Sequence, residues 1–227
     1  RLAQVKSINI ISRRLYEIFS HAGLKNICLT ENGVDTELFK PTRPVNSDRK
    51  LPLVVGFSGS TGSPKHDYLK GLSEFILPLR DIPNVAVKVL GGRGEQQVGR
   101  AEMPALYNQI DLYICASTSE GFSQSVLEAS SCGRGIVSTK VGGCEDLIEE
   151  NENGCFIERD RAQIRERIVQ LEADRNLVKR LGENSRRKIL EKYAWQIRVQ
   201  DWLQFIEANL PAVERRSSAA DSGVCQA

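Results

Sequence analysis

Two glutamates stand eight positions apart in the stretch STSEGFSQSVLEASSCGRG, which runs from Ser117 to Gly135. The apolar run DLYICAS reads as a strand ending near Ser117, and Ser123 is a good N-cap for a helix, so Glu120 falls in the loop at the strand's carboxyl end. Glu128 falls just over one turn into that helix. Helical side chains lean back toward the N-terminus, which aims Glu128 at the rim Glu120 occupies, with the backbone N–H groups of Gln124 and Ser125 facing the gap. Free amides and the helix dipole favour a phosphate, whereas a carboxylate favours a diol that donates two hydrogen bonds. A ligand carrying both phosphate and hydroxyls, such as a nucleotide sugar, suits the pair.

Positioning such a rim takes a parallel sheet, and the text supplies one. Beyond Leu51 the strands LPLVVGF, VAVKVL, DLYICAS, GIVSTKV and GCFIE alternate with helices expected at 67–80, 103–110, from Ser123 and at 144–150. Alternation of this kind predicts an α/β fold, a Rossmann-like parallel sheet flanked by helices. Ligands bind such sheets at the carboxyl ends of the strands, so the loops after Phe57, Leu90, Ser117 and Val141 are where chemistry is sought. Ahead of the sheet, Leu2, Val5, Ile8, Ile11, Leu15, Ile18 and Phe19 predict one amphipathic helix over 2–21 closed by Gly23. NICLT then reads as a strand, Asn32-Gly33 as a tight turn and KPTRPVNSDRK as a linker. Domains are therefore expected at 1–40, a remnant and hinge; at 41–192, the ligand-binding domain; at 193–210, a closing helix; and at 211–227, a disordered tail. Helix breaks are expected near Asp174 and Ala194.

Composition narrows the function classes. The 227 residues carry 31 basic and 29 acidic side chains, a formal charge of +2 that gives no reason to expect nucleic acid as a partner. No apolar run approaches the roughly 20 residues of a membrane span. Six scattered cysteines without a C-x-x-C pair, and only two histidines, His21 and His66, make a zinc site or a disulfide framework poor readings. Reduced, mostly buried thiols and a cytoplasmic setting are expected instead, with no metal.

SEGFSQSVLEASSCG resembles the E-x7-E motif of the retaining group-1 glycosyltransferases, and further strings extend the resemblance. ENGVDTELFKP resembles that family's inter-domain hinge, YLKG its phosphate-binding lysine step, VSTKVGG with ENGCFIE its next two strands, and LEKYAWQIRVQDWLQFIE its closing helices. The resemblance runs from residue 1 to about 210 and implies the C-terminal, donor-binding half of a two-domain GT-B fold, with the N-terminal acceptor domain mostly absent. It implies a nucleotide-sugar donor and no cofactor. Lys70 would neutralise the donor diphosphate, Glu128 would hold the ribose, and Glu120 would contact the donor sugar beside its anomeric carbon. The amides around Gly121, Phe122, Ser123, Gln124 and Ser125, with Gly59, would cradle phosphate and sugar, while the glycine-rich stretch at Gly91 reads first as a turn and second as a phosphate or base contact.

Departures from the family pattern set further expectations. The usual arginine after the first strand falls on Ser60 when counted forward from Gly59, and on Lys65 when counted back from Lys70. The stretch between Gly92 and Met103 is short of a strand, and Gly135 stands where a proline is usual. Lys70 and the intact E-x7-E favour a transferase; the uncertain arginine keeps open a module that binds nucleotide or nucleotide sugar without transferring. A nicotinamide site is a poor fit, because GFSGSTGS lacks the G-x-G-x-x-G spacing. Arg186, Arg187 and Lys188, in a basic run from Arg159 to Lys192, read first as a charged face and second as a surface docking on an anionic membrane. The apolar residues of the 193–210 helix exceed one stripe, so the isolated chain is expected to self-associate.

Overall fold

The computed structural model describes residues 2–59, 62–91 and 98–210. Its centre is a five-stranded, wholly parallel sheet of β3 (Leu53–Ser58), β4 (Val85–Leu90), β5 (Leu112–Cys115), β6 (Gly135–Ser138) and β7 (Gly154–Phe156), in the order β4-β3-β5-β6-β7. Every residue of β5 and β6 is buried, which explains why these strands are continuously apolar rather than alternating. Leu53, Val55, Phe57, Leu112, Ile114 and Ala116 feed a core on one side of the sheet, with Ile164, Ile168, Leu171, Val178 and Leu181. Tyr113, Cys115 and Ile136 face the other, with Tyr107, Val126, Leu127 and Ile189. The covering helices are α2 (Pro64–Lys70), α3 (Met103–Tyr107), α4 (Gln124–Ser131), α5 (Cys144–Leu147), α6 (Arg161–Ala173), α7 (Arg175–Lys188) and α8 (Trp195–Asn209).

The chain runs outward from β3 to β4, then returns across β3 to β5. This reversal makes the gap between the carboxyl ends of β3 and β5 the topological switch point, where open parallel sheets bind ligands. Helix α2 ends there because Gly71 adopts the left-handed region at φ +71°, where a Cβ would lie 2.9 Å from the Ala116 carbonyl oxygen. Lys70 is thus the last helical residue, set against the end of β5. The helix expected at 67–80 is in fact three pieces: α2, capped by the Ser63 hydroxyl, a π-type turn over Leu72–Ile76 and a 3-10 turn over Leu77–Asp81.

The single helix expected over 2–21 is corrected. A 3-10 turn over Leu2–Gln4 leads into β1 (Ile8–Ile10), and only Arg13–His21 forms a helix, α1, with Ser12 as N-cap. Ile8 and Ile10 flank Asn9 with strand spacing, and β1 pairs in parallel with β2 (Ile27–Leu29), a long-range gain that overrides helical periodicity. Gly23 does follow the helix, at φ +84°. Nor does Asn32-Gly33 form a turn, and Val34 bridges Ala194 in parallel. Gly33 is needed because a Cβ would sit 2.7 Å from the Trp195 ring.

The expected breaks at Asp174 and Ala194 coincide with the starts of α7 and α8. Helix α8 docks on the hinge strand through Trp202 Nε1, which donates to the Glu31 carbonyl at 3.1 Å, and through an Arg198–Glu31 ion pair at 3.1 Å. Val199, Leu203 and Ile206 remain exposed on its outer face. The segment 211–227, expected to be disordered, lies outside the described residues.

Candidate functional site

Strand β5 delivers the first carboxylate. Past its end, Ser117 donates its hydroxyl proton to Glu120 Oε1 at 2.7 Å, and Lys70 donates to the same oxygen at 2.6 Å. The Lys70 and Glu120 side chains keep 31% and 14% of their exposure, so the ion pair is reachable from solvent. The backbone on which Glu120 rides is held from the next loop, where the Gly143 N–H donates to the Gly121 carbonyl at 3.0 Å. Gly142 passes so close that a Cβ would lie 2.3 Å from the Glu120 and Gly121 carbonyl oxygens, and Gly143 is covered by the Phe122 ring. The VGG string is therefore the support of the Glu120 loop.

Helix α4 delivers the second. Glu128 is 8% exposed, its Oε2 accepts from the Tyr107 hydroxyl at 3.0 Å, and its Oε1 faces Arg100 at 3.9 Å. Burial raises the Glu128 carboxyl above the usual carboxylate range, while the Tyr107 hydrogen bond and then the Arg100 charge pull it down. The first main-chain bonds at this helix start run from Val126 and Leu127 to the Ser123 carbonyl, which leaves the Gln124 and Ser125 N–H groups ahead of the ladder. Ser123 occupies the cap position without a side-chain capping bond, and Gln124 sends its amide to the Gly33 carbonyl at 3.2 Å, tying the helix to the hinge.

The remaining expected residues are dispersed. Gly59 is exposed just past β3. Ser60 lies outside the described residues, as does the 92–97 part of the glycine-rich loop. Gly91 turns the chain out of β4 at φ +87°. Lys65 is exposed in the first turn of α2, and among the described residues no hydrogen bond or ion pair joins it to Lys70 or Glu120.

Sequence reasoning missed Ser117, Arg100, Tyr107 and Arg159. The Arg159 guanidinium donates to the carbonyls of Tyr68 at 2.7 Å, Leu69 at 3.2 Å and Ala116 at 3.0 Å, and it stacks on the Tyr68 and Phe75 rings. It is a cation on the carboxyl end of α2, clamping the turn that presents Lys70. Arg159→Met keeps the stem and loses the fork. We expect it to lower unfolding stability by about 1–3 kcal/mol, read as a reduced denaturant midpoint; an unchanged midpoint would leave the clamp without energetic weight.

The basic cluster reads differently in three dimensions. Arg186 spends its guanidinium on the Thr36, Phe39 and Ser131 carbonyls, and Lys188, buried, pairs with Glu149 at 2.5 Å. Only Arg187 of the three is exposed, and it faces Glu191 at 4.0 Å. A membrane-facing surface made of all three is corrected on that ground, because two of the charges are consumed inside the fold. Among the described residues no helix is long and apolar enough to cross a membrane, and no group of three His, Cys, Asp or Glu residues is placed to hold a metal ion.

Residues 83–188 match the family described as "Glycosyl transferases group 1". Among curated relatives, the chain is 25% identical over 224 residues to the Campylobacter jejuni N,N'-diacetylbacillosaminyl-diphospho-undecaprenol alpha-1,3-N-acetylgalactosaminyltransferase, covering 91% of this chain and 54% of that protein. It is 30% identical over 138 residues to the GtfA subunit of the Streptococcus parasanguinis UDP-N-acetylglucosamine–peptide N-acetylglucosaminyltransferase, covering 58% of this chain and 27% of that protein. The chain thus spans between about a quarter and about half of these relatives. Among solved structures, sucrose-phosphate synthase of Thermosynechococcus elongatus superimposes with a TM-score of 0.78 at 18% identity, over 91% of this chain and 59% of that one. HepE of Anabaena in complex with UDP does so with 0.75 at 22% identity, over 90% of this chain and 64% of that one. A parallel sheet with two carboxylates and a lysine at its switch point thus carries, through residues 83–188, a match to the group-1 glycosyltransferases, and the chain has the fold and the size of a C-terminal GT-B domain.

Proposed function

We propose that this chain is the donor-binding part of a retaining glycosyltransferase that moves a sugar from a nucleotide-sugar donor to an acceptor held by another domain. The observation that carries the reading is the Lys70–Glu120 ion pair at the switch point, with Glu128 on the helix behind it. As the sugar–phosphate bond lengthens, negative charge grows on the departing diphosphate; Lys70 and the N–H groups opening α4 stabilise it, and Glu120 faces the positive charge developing on the sugar. Glu128, fixed by α4, accepts from the ribose diol. A module that binds a nucleotide sugar without transferring it is the second reading, favoured by Ser60 or Lys65, by either count, standing where a guanidinium fork is expected.

Titration calorimetry with UDP, ADP and GDP and the matching nucleotide sugars tests the reading. The chain is expected to bind one nucleoside diphosphate and, with the proposed acceptor wall on another domain, to transfer nothing. Light scattering is expected to show self-association through the apolar face of α8, at Val199, Leu203 and Ile206. A monomer that turns over donor with an added acceptor would overturn the half-site reading. Failure to bind any of the three diphosphates would overturn the donor reading.

A further inference from the structure

Tyr107 closes α3 with its ring fully buried against Phe39 and Tyr113, at centroid distances of 6.1 and 6.0 Å. A phenylalanine would fill that space equally well, so the hydroxyl is the part that asks for a reason. It lies 3.0 Å from Glu128 Oε2 and 3.3 Å from Ser58 Oγ. The Tyr113 hydroxyl donates to the Ser58 carbonyl at 3.0 Å and stands 3.1 Å from Ser58 Oγ. Counting protons leaves a consistent arrangement. Tyr113 spends its proton on the Ser58 carbonyl, the Ser58 hydroxyl is free to donate to Tyr107, and Tyr107 gives its own proton to the carboxylate, the strongest acceptor within reach. Each bond in such a chain polarises the next.

The consequence falls on Glu128. Its Oε2 is committed to the buried wall, while Oε1 points to the rim, where Arg100 stands beyond hydrogen-bond distance at 3.9 Å. A carboxylate on a flexible side chain in a mostly buried place is thereby held in one orientation with one oxygen left for a ligand. We propose that Tyr107 is a positioning residue that fixes Glu128 for the ribose diol of the donor. This rests on the donor reading given above and names the group that makes that carboxylate selective.

Among the described residues, the groups facing Glu128 are Tyr107 from α3, Arg100 from the turn before it, and Cys132 one turn on, at the C-cap of α4, whose thiol is pushed up to about 12 by burial and stays neutral. Tyr107 itself is raised by burial, so it remains a donor at any working pH. Glu128 must be ionised to accept from a diol, so affinity falls as pH drops through its raised pKa. Losing the Tyr107 hydrogen bond, which lowers that pKa, moves the loss to higher pH.

Affinities of the chain for UDP and for 2',3'-dideoxy-UDP, measured by calorimetry across pH, test the proposal. The wild type is expected to prefer UDP by about ten- to hundredfold. In Tyr107→Phe the preference is expected to shrink severalfold, with dideoxy-UDP affinity unchanged and the pH midpoint for UDP displaced upward. A variant with the wild-type preference and midpoint overturns the proposal, and because the preference is a ratio within one protein, a loss of overall stability does not mask it. Glu128→Gln separates the two levels: if it keeps the full UDP preference, the donor reading of Glu128 fails, whereas if it loses the preference and Tyr107→Phe does not, only the role of Tyr107 fails. Should UDP not bind, ADP and GDP with their dideoxy analogues take its place, and absence of binding by all three overturns both.

Discussion

Glu120→Ala in the full-length protein is expected to cut sugar transfer by about 100- to 1,000-fold while leaving nucleoside diphosphate affinity at or slightly above wild type. The geometry sets both halves of this expectation. Glu120 Oε1 is held by Ser117 and Lys70 past the end of β5, and removing it frees the Lys70 ammonium from a competing carboxylate, so on the proposed roles the diphosphate meets an unshared cation. On the proposed role of Glu120, what is lost is negative charge beside the reacting sugar, which matters only as the transition state forms. Glu128→Ala is expected to do the reverse, weakening the diphosphate complex by about 1–3 kcal/mol through loss of the diol contact. Calorimetry and steady-state rates on the two variants read the difference, and equal losses of affinity would end the division of roles.

How far the site was legible depends on how local its signals are. Glu120, Glu128 and Lys70 announce themselves because each sits in a short string whose strand, turn and helix boundaries can be read directly. Ser117 was visible in the same string but needed coordinates to show that its hydroxyl holds Glu120. Tyr107 and Arg159 were not legible, since they act across 21 residues to Glu128 and 90 to Leu69, and in the text they look like a core aromatic and one more basic side chain. The same limit explains the errors. Ile8, Ile11, Leu15 and Ile18 satisfy helical spacing, yet pairing of β1 with β2 takes Ile8–Ile10 out of the helix as a strand. Asn32-Gly33 reads as a turn in the text, and only packing tells that Gly33 is there to let Trp195 approach the backbone. Arg186 and Lys188 resemble surface charge until the carbonyls and the carboxylate that consume them come into view.

The largest expected effect on stability lies away from Lys70 and the two glutamates, at Arg134, which is fully buried below the start of β6. Its Nε donates to the Cys132 carbonyl at 2.9 Å, one terminal nitrogen to the Ile110 carbonyl at 2.9 Å, and the other to the Arg43 carbonyl at 2.8 Å and to Asn108 Oδ1 at 3.0 Å. Asn108 in turn donates to the Lys40 and Pro104 carbonyls and accepts from the Thr42 N–H, so one guanidinium fastens the linker at 40–43 to the turn before β5 and the turn before β6. Burial lowers the Arg134 pKa to about 10, with Asp111 among the groups opposing the shift, which leaves it charged at neutral pH. Arg134→Ala would strip buried acceptors of their donor and open a cavity, at an expected cost of about 3–5 kcal/mol. At about 2–4 °C per kcal/mol for a chain of this size, calorimetric melting should fall by about 6–20 °C. Arg134→Lys is expected to recover little, because one ammonium on a flexible stem cannot serve acceptors spread around a planar fork. Since none of these bonds reaches Lys70, Glu120 or Glu128, nucleoside diphosphate affinity measured well below the melting temperature should be unchanged. A melting temperature within about 2 °C of wild type would show that the linker is held by the packing of Phe39 and Val45 and that the guanidinium network adds nothing.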